Sequence, residues 1–157
     1  MSDRTEFAGL GLRIPPVYFL LALTGCFLLH WLLPVIQLWS GPARWLGAVP
    51  AAAGIALAFN SARSFVRAGT TLRPGGGDST ALVEVGPFRY TRNPMYLGLA
   101  LILLGASVML GTLTPFLVIP AFMWLIQRSF IRPEEAALEQ TFGEDFRAYC
   151  QRVGRWI

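Results

Sequence analysis

The sequence predicts an all-α integral membrane protein with four transmembrane helices and a helical cytoplasmic segment at its C-terminus. Of its 157 residues, 54% are hydrophobic and only 14% are charged, whereas soluble domains contain about 25% charged residues. Long uncharged stretches separate the arginines, and each is long enough for at least one crossing, which takes about 20 residues. The arginines are also concentrated at one end of these stretches.

The first two predicted spans are apolar: residues 14–36 lie between Arg13 and Arg44, and residues 45–65 follow Arg44 and include Arg63 near their end. The first run is longer than the apolar core of about 7 to 15 residues in a signal peptide. We therefore expect it to stay attached to the protein as a transmembrane helix.

The third uncharged gap, residues 93–127, is too long for one crossing. A straight helix of this length would extend about 52 Å, against a hydrocarbon core of about 30 Å. The stretch "GTLTP" at 111–115 supplies glycine and proline, which interrupt helices. The sequence therefore predicts a tight hairpin between a third span at 94–110 and a fourth at 113–131.

The distribution of basic residues predicts the orientation. All thirteen basic residues are arginines, and most lie in or beside the loop 66–93 or after residue 127. The positive-inside rule then places this loop and both termini in the cytoplasm, and the expected location is a bacterial inner membrane. A net charge of +4 spread among apolar runs argues against a nucleic-acid partner and favours anionic lipid as the counter-charge.

The remaining segments are a surface loop and a C-terminal helical region. The loop contains "RPGGGDST", and residues 133–157 show apolar positions at helical spacing on either side of Gly143. No cysteine or histidine pattern suggests a metal site. We read Cys26 and Cys150 as unpaired thiols and His30 as a neutral side chain without a catalytic role.

Two polar clusters could carry chemistry: "RYTRNPMY" at 89–96 and "RPEEAAL" at 132–138. The predicted hairpin would bring both to the same membrane face. Residue types alone also fit a structural interpretation, with snorkelling arginines, an asparagine N-cap before an N1 proline, interfacial tyrosines and a second helix start.

The two clusters resemble the integral-membrane methyltransferases that include isoprenylcysteine carboxyl methyltransferase and the phospholipid N-methyltransferases. An R-H-P-x-Y-x-G type motif and a later E-E-x-x-L motif characterise that family. The resemblance covers about residues 70–157, with asparagine in place of the family's histidine. The matching residues are Arg92, Asn93, Pro94, Tyr96, Gly98, Glu134, Glu135 and Leu138.

The resemblance implies S-adenosylmethionine as the cofactor and assigns roles to these residues. Arg92 would pair with the methionine carboxylate, and Glu134 or Glu135 would accept from the ammonium or the ribose hydroxyls. The implied cofactor-binding set is Arg92, Asn93, Pro94, Tyr96, Leu97, Gly98, Glu134 and Glu135. The catalytic candidates are Arg92, Glu135 and Arg155, with Glu135 as a base if the acceptor is an amine, and the substrate candidates are Arg89 and Tyr149.

The predicted function is S-adenosylmethionine-dependent methyl transfer to a lipophilic acceptor at the cytoplasmic membrane face, reached from the lipid through a gap between spans. The carboxylate of a prenylated cysteine, a phospholipid amine and a small lipophilic thiol all remain open as acceptors. The alternative is a non-enzymatic four-span lipid-binding or scaffold subunit. A small exporter fits less well because it would be expected to have ionisable residues deep inside the spans, where the sequence places only His30.

Overall fold

The structure is a computed structural model that describes residues 14–67 and 82–157. The described part is helical, which confirms the predicted all-α class, and its β-type pairing is confined to an isolated bridge between Gln37 and Thr112. The α-helices are α1 (Pro15–Leu32), α2 (Ala48–Arg67), α3 (Pro94–Leu110), α4 (Val118–Ile126), α5 (Arg132–Phe142) and α6 (Glu144–Arg152). Most of the predicted loop, residues 68–81, lies outside the described residues.

Three continuous helical runs are long and apolar enough to cross a membrane: Pro15–Leu32, Gly41–Arg67 and Thr114–Phe142. Helix α3 is also apolar but has only 17 residues. The outer surface carries large apolar side chains, such as Trp31 at 84% exposure, as expected where helices contact lipid tails. The chain is an integral membrane protein, and four crossings remain a prediction.

The last helical run differs from the predicted division at residue 131. A π-helical segment, Gln127–Ile131, joins α4 directly to α5, so the chain continues as one helix beyond the apolar stretch. It ends at Gly143, whose φ of +53° favours glycine, and α6 follows. The run therefore carries Glu134 and Glu135 on a continuous helical extension.

Helix α3 packs closely against α2 and the residue just before it, Gly47, through glycines spaced seven residues apart. A Cβ atom on Gly105 would lie 2.5 Å from the carbonyl oxygen of Gly47, and one on Gly98 would lie 2.7 Å from that of Gly54. Only residues without a side chain allow backbones to approach this closely. The pairing is antiparallel, so the C-terminal end of α2 lies beside the N-terminal end of α3.

The other face of α3 packs on the core formed with α1 and α4. Leu103 and Ile126 are fully buried there. Aromatic side chains join α1 to the last helical run, with ring centroids 5.1 Å apart for Tyr18 and Phe130. We call the end of the bundle at which Arg67, Arg92 and Arg132 lie the arginine-rich end.

The opposite end is closed by polar contacts around the start of the 111–115 break. Gly111 ends α3 with a φ of +77°, and Arg44 donates to the carbonyl oxygens of Met109 and Leu110 at 2.7 and 2.9 Å. His30 Nδ1 lies 2.8 Å from Thr112 Oγ1. His30 thus has a local polar partner far from the arginine-rich end.

Candidate functional site

Three segments converge at the arginine-rich end: the turn before α3, the first turn of α5 and the last residues of the chain. Main-chain and side-chain hydrogen bonds join the first and the last of these. The Arg92 N–H donates to the carbonyl oxygen of Gly154 at 2.9 Å. Asn93 Nδ2 and Thr91 Oγ1 both donate to the carbonyl oxygen of Arg155, at 3.0 and 3.2 Å. The C-terminus is therefore fixed against the motif that begins α3.

Glu135 lies at the centre of a charge cluster with two arginines. Arg155 approaches it with Nη2 at 2.6 Å and Nε at 3.0 Å from Oε2. Arg92 Nη2 lies 3.4 Å from Oε1. The Arg92 and Glu135 side chains are only 14% and 15% exposed, and hydrogen bonding to Glu135 raises the pKa of Arg155 above its ordinary value. The cluster brings together the three residues that were predicted to be catalytic.

Arg92 has donors directed away from Glu135. Nη1 donates to the thiol sulfur of Cys150, and Nε is buried without a hydrogen-bond partner among the described residues. A buried donor without a partner costs free energy. An acceptor supplied by a bound molecule would satisfy it.

Glu134 faces a different partner from its neighbour. The Tyr96 hydroxyl donates to Glu134 Oε1 at 2.8 Å, which links the first turn of α3 to the first turn of α5. The Tyr96 ring packs near Phe130 of the π-helical segment, with centroids 6.5 Å apart. The two adjacent acids therefore connect to two different parts of the site.

Asn93 and Pro94 start α3, but the asparagine does not cap it with its side chain. Pro94 occupies the first helical position and is fully buried, as expected for a proline there. Asn93 makes no capping hydrogen bond; its Nδ2 instead donates to the carbonyl oxygen of Arg155. The Leu97 N–H donates to the carbonyl oxygen of Asn93 at 3.0 Å, an ordinary helical contact.

Three predicted site residues lie apart from the charge cluster or have other partners. Arg89 is exposed and forms no ion pair with a residue that the structure describes. Gly98 contacts the backbone of α2, so helix packing occupies its open side. Tyr149 is 4% exposed, and its hydroxyl donates to the carbonyl oxygen of Phe88 at 2.7 Å. Burial raises the pKa of Tyr149, and the contact anchors α6 to the turn before α3.

Sequence reasoning missed Cys150, Thr91 and Gly154 as parts of this site. The Cys150 sulfur accepts a hydrogen bond from Arg92, and the Thr91 hydroxyl donates to the carbonyl oxygen of Arg155. Gly154 contributes a carbonyl oxygen that accepts from the Arg92 N–H. The sequence gives no signal for the carbonyl contact, because any residue could supply it. The position of Thr91 beside Arg92 and Asn93 was the available signal for its role.

The model of the phospholipid methyltransferase family matches residues 42–145, which is more than half of the chain. The chain belongs to this family. The match includes Arg92, Glu134 and Glu135 and stops before Arg155.

Two relatives add detail. The chain is 41% identical over 63 residues to an uncharacterized protein of Haemophilus influenzae, and the match covers 40% of this chain and all of that protein. It is 32% identical over 72 residues to the protein-S-isoprenylcysteine O-methyltransferase of Schizosaccharomyces pombe, covering 46% of this chain and 30% of the yeast enzyme. No solved structure matches the chain.

Proposed function

We propose that this protein transfers a methyl group from S-adenosylmethionine to a lipophilic acceptor at the cytoplasmic face of the membrane. The observation that carries the proposal is the cluster of Arg92, Glu135 and Arg155, in which two separate motifs and the C-terminus meet at the end of an apolar bundle. Membership of the phospholipid methyltransferase family supports methyl transfer as the reaction class. We also propose the predicted orientation, with both termini in the cytoplasm, and a bacterial inner membrane as the location.

The residues at the cluster fit the polar groups of S-adenosylmethionine. The unpartnered Arg92 Nε can donate to the methionine carboxylate, and a guanidinium suits a carboxylate by charge and by geometry. Glu134, bound in the structure by one tyrosine hydroxyl, can accept from the ammonium or from ribose hydroxyls. Asn93, directly before α3, and Tyr96, in the first turn of α3, lie beside these groups. Bound there, S-adenosylmethionine supplies an electrophilic methyl carbon on a sulfonium.

The protein's contribution is alignment and exclusion of water. Methyl transfer is an in-line displacement, so residues that hold the acceptor atom in line with the methyl carbon and the leaving sulfur would lower the barrier. Arg155 lies on the partly exposed side of the cluster, at 35% exposure, where it can orient an anionic acceptor. Burial at the end of an apolar bundle favours a reaction in which opposite charges are lost.

If the methyl acceptor is an amine, Glu134 is better placed than Glu135 to take up its proton. Glu135 already receives hydrogen bonds or ion pairs from two arginines, so its oxygens are committed. Glu134 has only the Tyr96 hydroxyl as a partner among the described residues. We therefore assign Glu135 to holding the two arginines and Glu134 to proton transfer or cofactor contact.

The family indicates only the chemical class of the methyl acceptor, a lipophilic molecule. A phospholipid amine, the carboxylate of a prenylated cysteine and a small lipophilic thiol all fit a site at a membrane boundary. A lipophilic tail would reach the site most easily from the bilayer, because crossing the charged arginine-rich end costs desolvation.

Titration calorimetry with S-adenosylhomocysteine and the purified full-length protein tests the site. We expect Arg92→Ala and Glu135→Ala to weaken binding at least tenfold. Arg147→Ala is the matched control, because Arg147 is an exposed arginine that pairs with Glu139 and Glu144 on the surface. Unchanged affinity in both site variants would contradict the assignment.

A transfer assay tests the activity itself. Extracted membrane lipids are incubated with the protein and S-adenosylmethionine carrying a radiolabelled methyl group, and the lipid fractions are separated. We expect label in one lipophilic fraction and none with Arg92→Ala. A protein that binds neither S-adenosylmethionine nor S-adenosylhomocysteine and labels no fraction would instead be a scaffold or lipid-binding subunit.

A further inference from the structure

A polar cavity lies at the arginine-rich end, beside the C-terminal part of α2. Its volume is about 330 Å³, within the usual range for small-ligand sites. The cavity lies between the last two turns of α2 and the turn at Gly86–Arg89. It is lined by Asn60, Arg63, Ser64, Arg67, Gly86 and Pro87. We call it the α2 groove.

The lining of the α2 groove is cationic. Among the described residues, the lining contains two arginines and no acidic side chain. Neither Arg63 nor Arg67 forms an ion pair with a residue that the structure describes, and Glu84, two residues before Gly86, is paired with Arg152 at 2.8 Å. The described surroundings therefore leave a net positive charge in the groove.

The same face of α2 changes from apolar to cationic along the helix. Ile55, Phe59, Arg63 and Arg67 recur at intervals of four residues, which places them on one stripe of the helix. Ile55 and Phe59 are each 60% exposed, and the Arg63 guanidinium carbon lies 5.5 Å from the centre of the Phe59 ring. An apolar surface that faces lipid thus leads directly into the groove.

We propose that the α2 groove binds the phosphate of a membrane phospholipid, with Arg63 and Arg67 as the phosphate ligands and an acyl chain along Ile55 and Phe59. The charge of the groove complements a phosphate, and its position at the end of an apolar stripe matches the division of a phospholipid into headgroup and tail. A free phosphate shares only the first of these features. The groove is separate from the Arg92 cluster and does not depend on methyl transfer.

The groove is connected to the candidate site through the turn at Gly86–Arg89. The rings of Phe65 and Phe88 are 5.1 Å apart, and the carbonyl of Phe88 accepts the hydrogen bond from Tyr149. A phospholipid held in the groove would therefore lie against the segment that leads to Arg92.

Native mass spectrometry of the full-length protein in detergent, without S-adenosylmethionine, tests the proposal. The probes are dioleoylphosphatidylglycerol, dioleoylglycerol with the same tails and no phosphate, and inorganic phosphate as a competitor. The test variant is R63Q/R67Q. Arg128→Gln is the matched control because Arg128 is also exposed and stacks on an aromatic residue one turn earlier, 5.7 Å from the Trp124 ring. R63K/R67K keeps the charge.

We expect phosphatidylglycerol to bind the wild type more tightly than dioleoylglycerol. R63Q/R67Q should lose about tenfold or more in affinity, since each basic residue near a lipid surface contributes about 1 kcal/mol and 1.4 kcal/mol is tenfold. Arg128→Gln should bind as the wild type does, and R63K/R67K should retain most of the affinity.

Two results would overturn the proposal. One is equal loss of affinity in R63Q/R67Q and Arg128→Gln, which would indicate a general surface charge effect. The other is equal binding of dioleoylglycerol, or displacement of phosphatidylglycerol by millimolar inorganic phosphate. Either outcome would show that the groove does not recognise a phospholipid. Both are independent of cofactor binding, so they leave the methyl-transfer proposal to its own test.

Discussion

Replacing Glu135 by glutamine tests the charge cluster because it removes the central negative charge and keeps the side-chain shape. In the wild type this carboxylate lies 2.6 Å from Arg155 and 3.4 Å from Arg92. The variant leaves Arg92, which is 14% exposed, without its anionic partner. We expect lower stability in the absence of any ligand.

The expected loss of stability follows from how deeply each of the two ion pairs of Glu135 is buried. Removing one partner of a buried ion pair costs about 3 to 5 kcal/mol. The contact with Arg155 adds less, about 1 kcal/mol at most, because Arg155 is 35% exposed. Since the glutamine oxygen still accepts one hydrogen bond, we expect a total near the lower limit, about 3 kcal/mol. For a chain of this size this corresponds to a fall of about 6 to 12 °C in the unfolding midpoint.

The assay is thermal unfolding in one detergent, with Glu139→Gln as the control. Glu139 pairs with Arg147 on the surface, with 48% and 57% exposure, and its loss should change stability by less than about 0.5 kcal/mol. A double-mutant cycle with Arg155→Gln should give a coupling of about 1 kcal/mol. Equal midpoints for the Glu135 and Glu139 variants would refute the cluster as a buried structural unit.

Three further outcomes are expected. Tyr96→Phe removes the hydroxyl that donates to Glu134 and should lower the affinity for S-adenosylhomocysteine about tenfold, measured by calorimetry. A change in affinity below twofold would count against Glu134 as a cofactor contact. Gly105→Ala should lower the free energy of unfolding by about 1 to 3 kcal/mol, measured by thermal unfolding, because its Cβ would meet the α2 backbone. The control Gly25→Ala should not destabilise the protein, because a Cβ there makes only ordinary contacts. Equal effects of the two variants would refute the close packing. Arg44→Gln should lower the free energy of unfolding by about 1 to 2 kcal/mol, because the carbonyl groups at the end of α3 lose their donor. The affinity for S-adenosylhomocysteine should stay unchanged, and a loss of affinity in calorimetry would contradict this expectation.

The helical class and the membrane location could be predicted because apolar length and charge gaps report directly on the bilayer. The third helix was predicted at 94–110 and occupies Pro94–Leu110, since a proline at its start and a glycine at its end are local signals. The continuation of the last helix past residue 131 could not be foreseen. A π-helical segment has no sequence signature, and Pro133 in the first turn of α5 resembled a new helix start.

The sequence indicated which residues would lie together at the candidate site, but not how they would pair. The motifs pointed to Arg92, Glu134 and Glu135, and did not specify which acid binds which partner. Adjacent residues on a helix point about 100° apart, so Glu134 and Glu135 had to face different neighbours. The partners depend on where the C-terminus lies, and that position is fixed by carbonyl contacts at Gly154 and Arg155, which leave no trace in side-chain types.

The geometry of α3 explains why a helix of only 17 residues can hold this site in place. Gly98 and Tyr96 are two positions apart and therefore face nearly opposite sides of the helix. The glycine side fixes the distance to α2, because no side chain separates the two backbones. With α3 held from behind, the Tyr96 side has a defined position and reaches Glu134 at 2.8 Å. Close packing on one face of α3 thus sets the geometry of the polar contact on the other.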